Sequence, residues 1–530
     1  MNHNDNEGPP PSRGGQRIAK AAGSIMLAML ISRILGFVRE AVIGAKFGQN
    51  AITDSYNAAF ALPDFLYFLL VGGALSTAFI PVFSSYVATD KENDGWIVAS
   101  TFVNAMILLL SAGIILGEIF TPQLIPLVAY GFQGDTLERT VFLTRIMFPS
   151  VLFTGLAGLA MGVLNSYQHF LMPSIGAILY NVVIILCGYF LSDTFGIAAF
   201  SIGVVLGAFV NFLVQVPMLL RVGLRYQMVM RLDHPGVLQI AKLMGPALLG
   251  LSIGQIQDII NQNLASALEP GSISALRWAN RLMQLPLGVF AIAISVAVFP
   301  SLTSAAARRE WLDFRRNLSL GLRTVIYITV PAAVGMAILR VPIVQVLFER
   351  DKFDHTATLA TASVLLFFLI GLFAQGANQL LPRVFYALQR PSIPVRVSTI
   401  ILVVNTALSL VMIRYWGAEG VAMAFSLSAI VAFGLFLILA RRALRSIDGG
   451  RLMMSLAKTL TASAIMGAVI MALQQFIGAL VDMTTLTGQL VLLTITVSAG
   501  AGVYALATYL MKMEEADMVA RTFLSRFTRR

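Results

Sequence analysis

The stretch from Ile25 to Phe47, IMLAMLISRILGFVREAVIGAKF, decides the fold class because it is long enough to cross a bilayer and yet carries charge. A bilayer core requires roughly 20 apolar residues of helix. Arg33 and Arg39 stand inside this stretch, and Glu40 follows Arg39 directly. Ionisable side chains at membrane depth are costly, and those that persist face a wet cavity, a partner or a substrate. We therefore predict a transmembrane helix that meets an anionic ligand within the membrane.

The rest of the chain repeats this apolar character. Of its 530 residues, 57% are hydrophobic and 12% are charged, and the mean hydropathy is +0.81. A soluble protein of this length would carry several cores separated by charged surfaces. Apolar runs of membrane-spanning length recur to the end of the chain instead, and counting them predicts about fourteen transmembrane helices. The predicted fold is an all-α polytopic membrane protein.

Both ends of the chain are predicted to lie outside the membrane. Residues 1–16 are rich in Pro, Gly and Asn, which predicts a disordered tail, and residues 513–530 form a basic tail. No small-residue cleavage site follows the first span, so we expect that span to be retained and not removed as a signal peptide.

The formal net charge of +11 is explained by its distribution along the chain. Most Lys and Arg residues fall in alternate loops, as the arginine pairs at 308–309, 315–316 and 441–442 illustrate. Basic loops of this kind lie in the cytoplasm, and an even number of spans then places both termini there. Orientation and contact with anionic membrane lipids account for the excess charge, so nucleic-acid binding is not predicted.

Residues in and near the loops match between the two halves of the chain, which indicates an internal duplication. Matching prolines, glutamines and phenylalanines recur at offsets of 219 to 225 residues, as in Pro63/Pro286, Pro81/Pro300, Gln168/Gln389 and Phe200/Phe425, and Gly196 is paired with Gly420. The repeat predicts two six-helix lobes, at residues 17–222 and 235–446. Two further helices at 451–512 follow the second lobe.

The two predicted lobes are separated by an even number of spans and therefore have parallel topology. Lobes of this kind are related by an axis along the membrane normal, and transporters built in this way hold their substrate between the repeats and rock the lobes. Repetition for packing alone is the alternative interpretation. Gly72 and Gly73 are candidate hinges in the first lobe.

Arginines form the main candidate binding group. Arg33 and Arg39 lie six residues apart, which separates them by roughly 120° around the helix and about 9 Å along it. Glu40 is expected to point away from Arg39, because adjacent helical residues do not face each other. Arg277 and Arg281 share one helix face, and an anion between these two guanidiniums is the expected partner, since a guanidinium binds phosphate through two parallel hydrogen bonds.

Other charged residues have both a structural and a functional interpretation. Arg277 and Arg383 lie near the ends of their spans and could reach the membrane interface. Arg145 could pair with Glu138, reach the membrane interface or bind an anion. Asp54 follows Thr53 near the start of the second span, where it could cap its own helix or form a salt-bridge gate with a cavity arginine.

No catalytic or metal-binding pattern is present in the sequence. The four histidines fall in the tail or in loops, without metal-ligand spacing, and phosphate-binding and nucleophile-elbow motifs are absent. Cys187 is the only cysteine and is expected to be a packing residue. The sequence therefore predicts a protein that is not an enzyme and needs neither cofactor nor metal.

Several motifs together resemble the MurJ (MviN) lipid II flippases of the multidrug/oligosaccharidyl-lipid/polysaccharide exporter superfamily. In the first half these are SRILGFVRE at 32–40, Thr53-Asp54, and Leu62-Pro63 with AFIP at 78–81. In the second half they are NRLMQLP at 280–286, FPSL at 299–302, LFER at 347–350 and RVFYA at 383–387. The resemblance covers nearly the whole chain.

The resemblance implies fourteen helices, two six-helix lobes around a central cationic cavity, and two C-terminal helices beside a groove for the lipid tail. Arg33, Arg39 and Arg281 match family arginines that line the cavity and hold the pyrophosphate and sugar headgroup. Asp54 matches a functionally important aspartate, and Glu40 stands where many members have Asp.

The chain departs from the family pattern at two places. Tyr67-Phe68 stand where many relatives have an Arg-Arg pair, and Gly72 stands where they have an acid, so Arg145 or Arg277 is expected to replace part of the headgroup contact. Asn261, Asn405 and Ser409 occupy the region where some members bind a cation through acids, and no sodium site is predicted here.

The resulting hypothesis is a lipid II flippase in the bacterial cytoplasmic (inner) membrane. It would move this undecaprenyl-pyrophosphate precursor of peptidoglycan to the outer leaflet by alternating access, with lipid II, membrane lipids and the cell-wall synthesis machinery as partners. The nearest alternative is an exporter of another polyprenyl-linked glycan, of the O-antigen type. A polytopic glycosyltransferase would need acidic catalysts outside the membrane, and only Glu349, Asp351 and Asp354 come near that requirement. A cationic-drug exporter would favour acids and aromatic residues over arginines, and a membrane scaffold would not explain the buried arginines.

Overall fold

The computed structural model describes residues 13–72, 78–483 and 485–517, and the regular secondary structure of this part of the chain is helical, without a β-strand. Helix α1 begins at Arg13, so the predicted tail at 1–16 falls largely outside the described residues, as does most of the predicted tail at 513–530. The helices of the first half are α1 (Arg13–Phe47), α2 (Ala51–Ala59), α3 (Ala61–Tyr67), α4 (Ile80–Ala88), α5 (Glu92–Val128), α6 (Gly134–Ser166), α7 (Leu171–Phe195), α8 (Ala198–Leu213), α9 (Val216–Arg221) and α10 (Pro235–Ala265). Those of the second half are α11 (Ser272–Pro286), α12 (Ile292–Ala307), α13 (Trp311–Ile338), α14 (Arg340–Phe348), α15 (His355–Ile370), α16 (Leu372–Ala387), α17 (Ser392–Leu444), α18 (Gly449–Leu480) and α19 (Leu486–Leu510).

Many of these helices are long and apolar enough to cross a membrane. Within the described ranges nine helical spans meet that requirement, two of which combine consecutive helices, α8 with α9 and α11 with α12. A tenth span results if α15 and α16, bent by 48° at Gly371, are counted together. The polytopic all-α class is therefore confirmed, whereas the number fourteen stays a prediction. A helix satisfies its backbone hydrogen bonds internally, which is why apolar segments of this length are helical in lipid.

The chain divides into two compact units. As far as it is described, the first comprises Met1–Ile43, Ala58–Pro126 and Gln133–Gln255, and the second comprises Gly44–Asn57, Leu127–Phe132 and Ile256–Arg530. The second unit thus takes in a short early segment, 44–57, which joins α1 to α2. The lobes predicted at 17–222 and 235–446 stay a prediction.

Backbone turns recur at the spacing of the sequence repeat. Positive-φ residues occur in pairs 219 to 223 residues apart, namely Gly48/Gly271, Asp90/Arg309, Gln168/Gln389, Gly196/Gly417 and Gly223/Arg445. Gly196 ends α7 with φ 58° and ψ −142°, and Gly417 interrupts α17 with φ 53° and ψ −125°. The backbone counterpart of Gly196 is therefore Gly417, and the pairing of Gly196 with Gly420 made from the sequence is wrong by three residues. The shared turns support the duplication.

A π-helical segment also occurs at the same place in each half. Phe68–Gly72 follows α3, and Leu287–Ala291 follows α11, at an offset of 219 residues. Each segment lies shortly after a Leu-Pro pair, Leu62-Pro63 or Leu285-Pro286. Single π-helical turns are rare and occur frequently at functional sites.

Aromatic side chains fill the core of each unit. In the first unit Phe79 stacks on Phe83 and Phe102, with ring centroids 5.5 and 5.3 Å apart. In the second unit Trp278 of α11 packs against Phe348 and Phe353, at 5.7 and 5.1 Å. Offset and edge-to-face aromatic contacts add to the stabilisation that burial provides, and in the second unit they hold α11, which carries Arg277 and Arg281.

Candidate functional site

Arg39 and Glu40 of α1 form a buried ion pair in the first unit. Arg39 Nη2 lies 2.9 Å from Glu40 Oε1, and the two side chains are 8% and 2% exposed. Arg39 Nη1 also donates to Asn181 Oδ1 of α7 at 3.4 Å. The prediction that Glu40 points away from Arg39 is wrong, because the long arginine side chain bends back across the 100° that separates neighbouring helical residues. The pair offsets the cost of burying either charge alone.

Arg33 has a different environment on the same helix. Its side chain is exposed, and it has no hydrogen-bond or ion-pair partner among the described residues. The preceding residue, Ser32, donates to the Ala177 carbonyl of α7 and accepts from Asn181 Nδ2, at 3.3 and 3.4 Å. Ser32 and Arg39 therefore anchor this part of α1 to α7, while Arg33 lies outside that contact and is available to an anion.

Asp54 caps a helix of the second unit. Its carboxyl oxygens accept hydrogen bonds from the Gly271 and Ser274 amides at 2.6 and 2.8 Å, and from Ser274 Oγ at 2.7 Å. These donors belong to the N-terminus of α11, whose amides lack partners within the helix. Asp54 is 3% exposed. It therefore caps α11 and not its own helix, and among the described residues it forms no salt bridge with an arginine.

Arg277 and Arg281 lie on α11, one turn apart. Arg277 is half-buried and donates from Nη1 to the Asn57 carbonyl at 3.2 Å, and it interacts electrostatically with Asp258 of α10. Asn57 in turn donates to Ser274 Oγ at 3.0 Å. Arg277 is therefore held by groups of its own protein, whereas an anion was the partner expected from the sequence. Arg281, one turn further along α11, is exposed.

The positions that depart from the family pattern carry no positive charge. Tyr67 is half-buried, Phe68 is exposed, and their rings meet edge to face at 6.1 Å where α3 passes into the first π-helical segment. Arg145 of α6 is exposed and donates from Nε to the Glu118 carbonyl at 3.1 Å. It bonds to α5 and not to Glu138, the partner considered from the sequence.

Amide and hydroxyl groups occupy the region where acids were considered. Ser409 Oγ lies 3.5 Å from Asn261 Oδ1, while Asn405 is fully buried and its side-chain oxygen and nitrogen have no partner among the described residues. No group of three His, Cys, Asp or Glu side chains that could hold a metal ion occurs within residues 13–72, 78–483 and 485–517.

The second unit contains an apolar cavity of about 830 Å³. One wall is formed by α12 and α13, with Val298, Tyr327 and Gly335, and the other by α18 and α19, with Met466 and Ala501. Its volume lies within the range of roughly 300–1,000 Å³ that is usual for ligand sites. Carbon atoms dominate the lining, so the cavity suits a hydrocarbon chain.

Sequence reasoning missed a charged cluster beside this cavity. Arg323 lies within the apolar helix α13, is 8% exposed, and pairs with Glu514 and Glu515. The signal that identified Arg33, an ionisable residue in an apolar span, was present at Arg323 as well. Its acidic partners could not be found in this way, because they follow α19, about 190 residues along the chain.

Comparisons with known proteins identify the relatives of this chain. The sequence pattern of the family described as "Lipid II flippase MurJ" matches residues 43–491. The "Probable lipid II flippase MurJ" of Buchnera aphidicola subsp. Acyrthosiphon pisum is 33% identical over 423 residues, covering 79% of this chain and 82% of the relative. The "Lipid II flippase MurJ" of Burkholderia cenocepacia is 31% identical over 427 residues, covering 78% and 82%.

Solved structures give the same result. "Lipid II flippase MurJ, inward closed conformation" superposes with a TM-score of 0.78 at 27% identity, covering 92% of this chain and 98% of that one. An inward-facing multidrug resistance MATE family transporter of the MOP superfamily superposes with a TM-score of 0.66 over 80% of this chain and 99% of that one. At 14% identity the second match shows a shared fold and no more.

Proposed function

The chain belongs to the lipid II flippase MurJ family, and from this premise we propose that it moves lipid II from the inner to the outer leaflet of the bacterial cytoplasmic membrane. The proposed function is transport, in which no covalent bond of the lipid forms or breaks. The proposal rests chiefly on two features that occur in one chain. Exposed arginines stand on otherwise apolar helices, and an apolar cavity suits a hydrocarbon chain. Lipid II combines the two matching chemistries, an anionic pyrophosphate and a polyprenyl chain.

We propose that Arg33, Arg39 and Arg281 contact the headgroup. Guanidinium groups bind phosphate through two parallel hydrogen bonds and keep their charge at any physiological pH. Arg33 and Arg281 are exposed, so their side chains are accessible to a ligand. Arg39 is paired with Glu40, so its contact with a pyrophosphate requires an exchange of one anion for another.

The remaining candidates act by positioning. Asp54 fixes the N-terminus of α11, and Arg277 ties α11 to the Asn57 carbonyl, so both set where Arg281 stands. Arg145 is bonded to the Glu118 carbonyl and joins α5 to α6. These three residues are proposed to influence substrate binding through helix position, and Arg145 or Arg277 contributes positive charge where Tyr67 and Phe68 contribute none.

The apolar cavity of the second unit is proposed to receive part of the undecaprenyl chain. Moving hydrocarbon onto a carbon-lined wall costs little, since lipid and wall are similarly apolar.

Two six-helix lobes, at 17–222 and 235–446, are proposed to alternate in their access to the two membrane faces, with α18 and α19 as the tail-binding addition. Both termini are proposed to be cytoplasmic, which follows from the positions of the basic loops, and cell-wall synthesis enzymes are proposed as partners.

Complementation of a strain depleted of its lipid II flippase tests this function. The wild-type chain is expected to restore growth, and Arg33→Ala and Arg281→Ala are expected to fail at normal membrane abundance. Arg316→Ala is the matched control, because Arg316 is an arginine of the same protein that is 61% exposed and pairs only weakly with Asp313, at 4.0 Å. Failure of the wild-type chain, or full rescue by both variants, would contradict the proposal.

A further inference from the structure

A buried ionic cluster joins α13 to the segment that follows α19. Arg323 Nη2 lies 2.8 Å from Glu514 Oε2, and Arg323 Nη1 lies 3.1 Å from Glu515 Oε1. Arg323 and Glu515 are almost fully buried, at 8% and 1% exposure, whereas the Glu514 side chain is 67% exposed. The cluster therefore contains a buried ion pair, Arg323–Glu515, and an ion pair at the protein surface, Arg323–Glu514.

The same segment is bonded to α18. Ser455 donates to Glu515 Oε1 at 3.0 Å, and Lys458 Nζ donates to the Met511 carbonyl at 2.8 Å. Arg451 and Lys458 also act electrostatically on Glu514. Residues 511–515 thus connect α13 on one side with α18 on the other, through these polar and charged groups and through the buried side chain of Met513, which packs with Tyr327 and Met466.

These contacts lie at one end of the apolar cavity. Thr324 and Tyr327, which follow Arg323 on α13, line the cavity together with Tyr504 of α19. Tyr327 Oη is 3.0 Å from Thr508 Oγ1, and Tyr504 donates to the Tyr327 carbonyl at 2.7 Å. Polar contacts therefore cross from one wall to the other here. Further along, the nearest atoms to a Cβ added at Gly335 would be the apolar ends of Met466 and Ile470, at 3.9 and 4.0 Å.

Stability alone gives no reason for a buried charge at this position. Well-packed apolar residues of similar volume are often as stable as a buried ion pair, or more so. An ion pair differs from apolar packing in being directional and in breaking as a unit. It can therefore hold two walls at a defined separation and release them in one step, which apolar contacts along a cavity cannot do.

We propose that Arg323, Glu514 and Glu515 form a latch that sets the separation of the α13 and α18–α19 walls and thereby positions the cavity for a long polyprenyl chain. Arg323 is a positioning residue in this account, because it acts through α18 and α19 and not on the headgroup. The inference rests on the proposed lipid II transport. The latch adds that tail recognition is controlled from one end of the cavity, the end next to Arg323 and the C-terminus of α19.

Substrates of different tail length test the latch. The purified full-length protein in liposomes is given lipid II with its undecaprenyl tail, or the same headgroup on a farnesyl tail. For Arg323→Gln and Glu515→Gln we expect the ratio of undecaprenyl to farnesyl transport to fall about tenfold relative to wild type, which corresponds to roughly 1.4 kcal/mol in a barrier. The double variant Arg323→Glu with Glu515→Arg is expected to recover most of the ratio.

Two further variants serve as controls. Arg316→Gln removes an exposed arginine from the same helix and is expected to leave the ratio unchanged. If Arg323→Gln does not fold, Glu514→Gln removes only the ion pair between Arg323 and Glu514. It is expected to lower the ratio of undecaprenyl to farnesyl transport by a smaller factor. An unchanged ratio in the latch variants, or equal loss of both substrates without recovery in the double variant, would overturn the latch.

A distance measurement tests the latch independently of transport. Spin labels replace Val296 of α12 and Leu506 of α19, which are 52% and 59% exposed, in a Cys187→Ser background. Arg323→Gln is expected to lengthen and broaden the distance distribution between the labels, and the charge-swapped double variant is expected to narrow it again. An unaltered distribution would overturn the latch even if lipid II is transported. Absence of transport by the wild type, with the distance response intact, would instead count against the proposed function.

Discussion

At the scale of single residues, Asp54 illustrates how a charged side chain can act through structure. Its carboxyl group is saturated by three donors of the α11 N-terminus. Helix α11 carries both Arg277 and Arg281. A change at Asp54 is therefore transmitted to the position of the exposed arginine without any contact between Asp54 and the ligand.

Replacing Asp54 is expected to destabilise the second unit. Asp54→Ala leaves the Gly271 and Ser274 amides without their acceptor inside the protein, and we expect a loss of about 2 kcal/mol in the free energy of unfolding. Asp54→Asn keeps one oxygen acceptor and should lose less. The measurement is equilibrium unfolding in mixed micelles. Asp94→Ala, at an exposed first-turn aspartate of α5, should change stability by no more than about 0.5 kcal/mol; an equal loss in both variants would contradict the capping role.

Glu514 makes part of the latch sensitive to acid. Its hydrogen bond and charge interaction with Arg323 lower the pKa of this carboxyl below its ordinary value. A lowered pKa in the folded state means that the stabilisation is complete above the ordinary carboxyl pKa of about 4.3 and is lost as the pH falls through the lower, folded value. The effect is small, because the side chain is largely exposed and solvent screens it.

Hydrogen exchange of residues 505–517 across pH 3 to 6 measures this effect. Exchange in the wild type, corrected for its intrinsic pH dependence, is expected to increase as the pH falls below about 4.3. In Glu514→Gln the faster exchange is expected at every pH in the range, because the neutral amide cannot form the ion pair. The same pH profile in both proteins would show that Glu514 does not hold this segment.

At the scale of helices, the duplication is expressed in the turns as much as in the spans. Gly196 and Gly417 adopt the mirror image of an extended conformation, which glycine reaches without a steric cost and other residues do not. Each separates two apolar helices at the same place in the repeat. The backbone, and not a particular side chain, therefore determines the angle at these breaks.

Gly417→Ala is expected to destabilise the protein by about 1–3 kcal/mol, since alanine is strained at this φ and ψ. Space is not the cause, because the nearest atom to an added Cβ is 3.9 Å away. Gly434→Ala is the matched control within α17. It lies in regular helix with open space around it, and there alanine should be neutral or stabilise by up to about 1 kcal/mol. Unfolding midpoints of the two variants that coincide would contradict the assignment of the break to Gly417.

Apolar spans and isolated arginines could be predicted from the sequence, because both depend on local composition. The helical class and the exposed Arg33 and Arg281 follow from such local patterns. The partners of buried polar groups could not be predicted in this way. Asp54 caps a helix 217 residues away, and Arg323 meets acids beyond the last span. Pairing of this kind is determined by tertiary packing, on which helical spacing within one segment gives no information.

At the scale of the whole molecule, the chain combines two kinds of surface. Exposed arginines stand on α1 and α11, and the second unit holds a carbon-lined cavity. A ligand that uses both must be an anion attached to a long hydrocarbon. Membership of the MurJ family identifies that class of ligand with lipid II under the proposed function.

A membrane potential is expected to accelerate transport. The pyrophosphate is negative, so a potential that is negative on the cytoplasmic side favours its outward movement by about 2.3 kcal/mol per charge per 100 mV. Liposomes with oriented protein and an imposed potassium diffusion potential measure the effect. Faster transport is expected with the cytoplasmic face negative and slower transport with the sign reversed. Equal rates under both potentials would mean that the headgroup crosses without net charge.

The central claim is that this chain transports lipid II by means of its cationic helices. The most direct measurement follows labelled lipid II from one leaflet of a protein-containing liposome to the other. Wild type and Arg316→Ala are expected to transport at similar rates, whereas Arg33→Ala and Arg281→Ala are expected to be at least about tenfold slower. A tenfold change corresponds to roughly 1.4 kcal/mol in the barrier. Transport by the wild type no faster than in protein-free liposomes, or rates unaffected by loss of either arginine, would contradict the account.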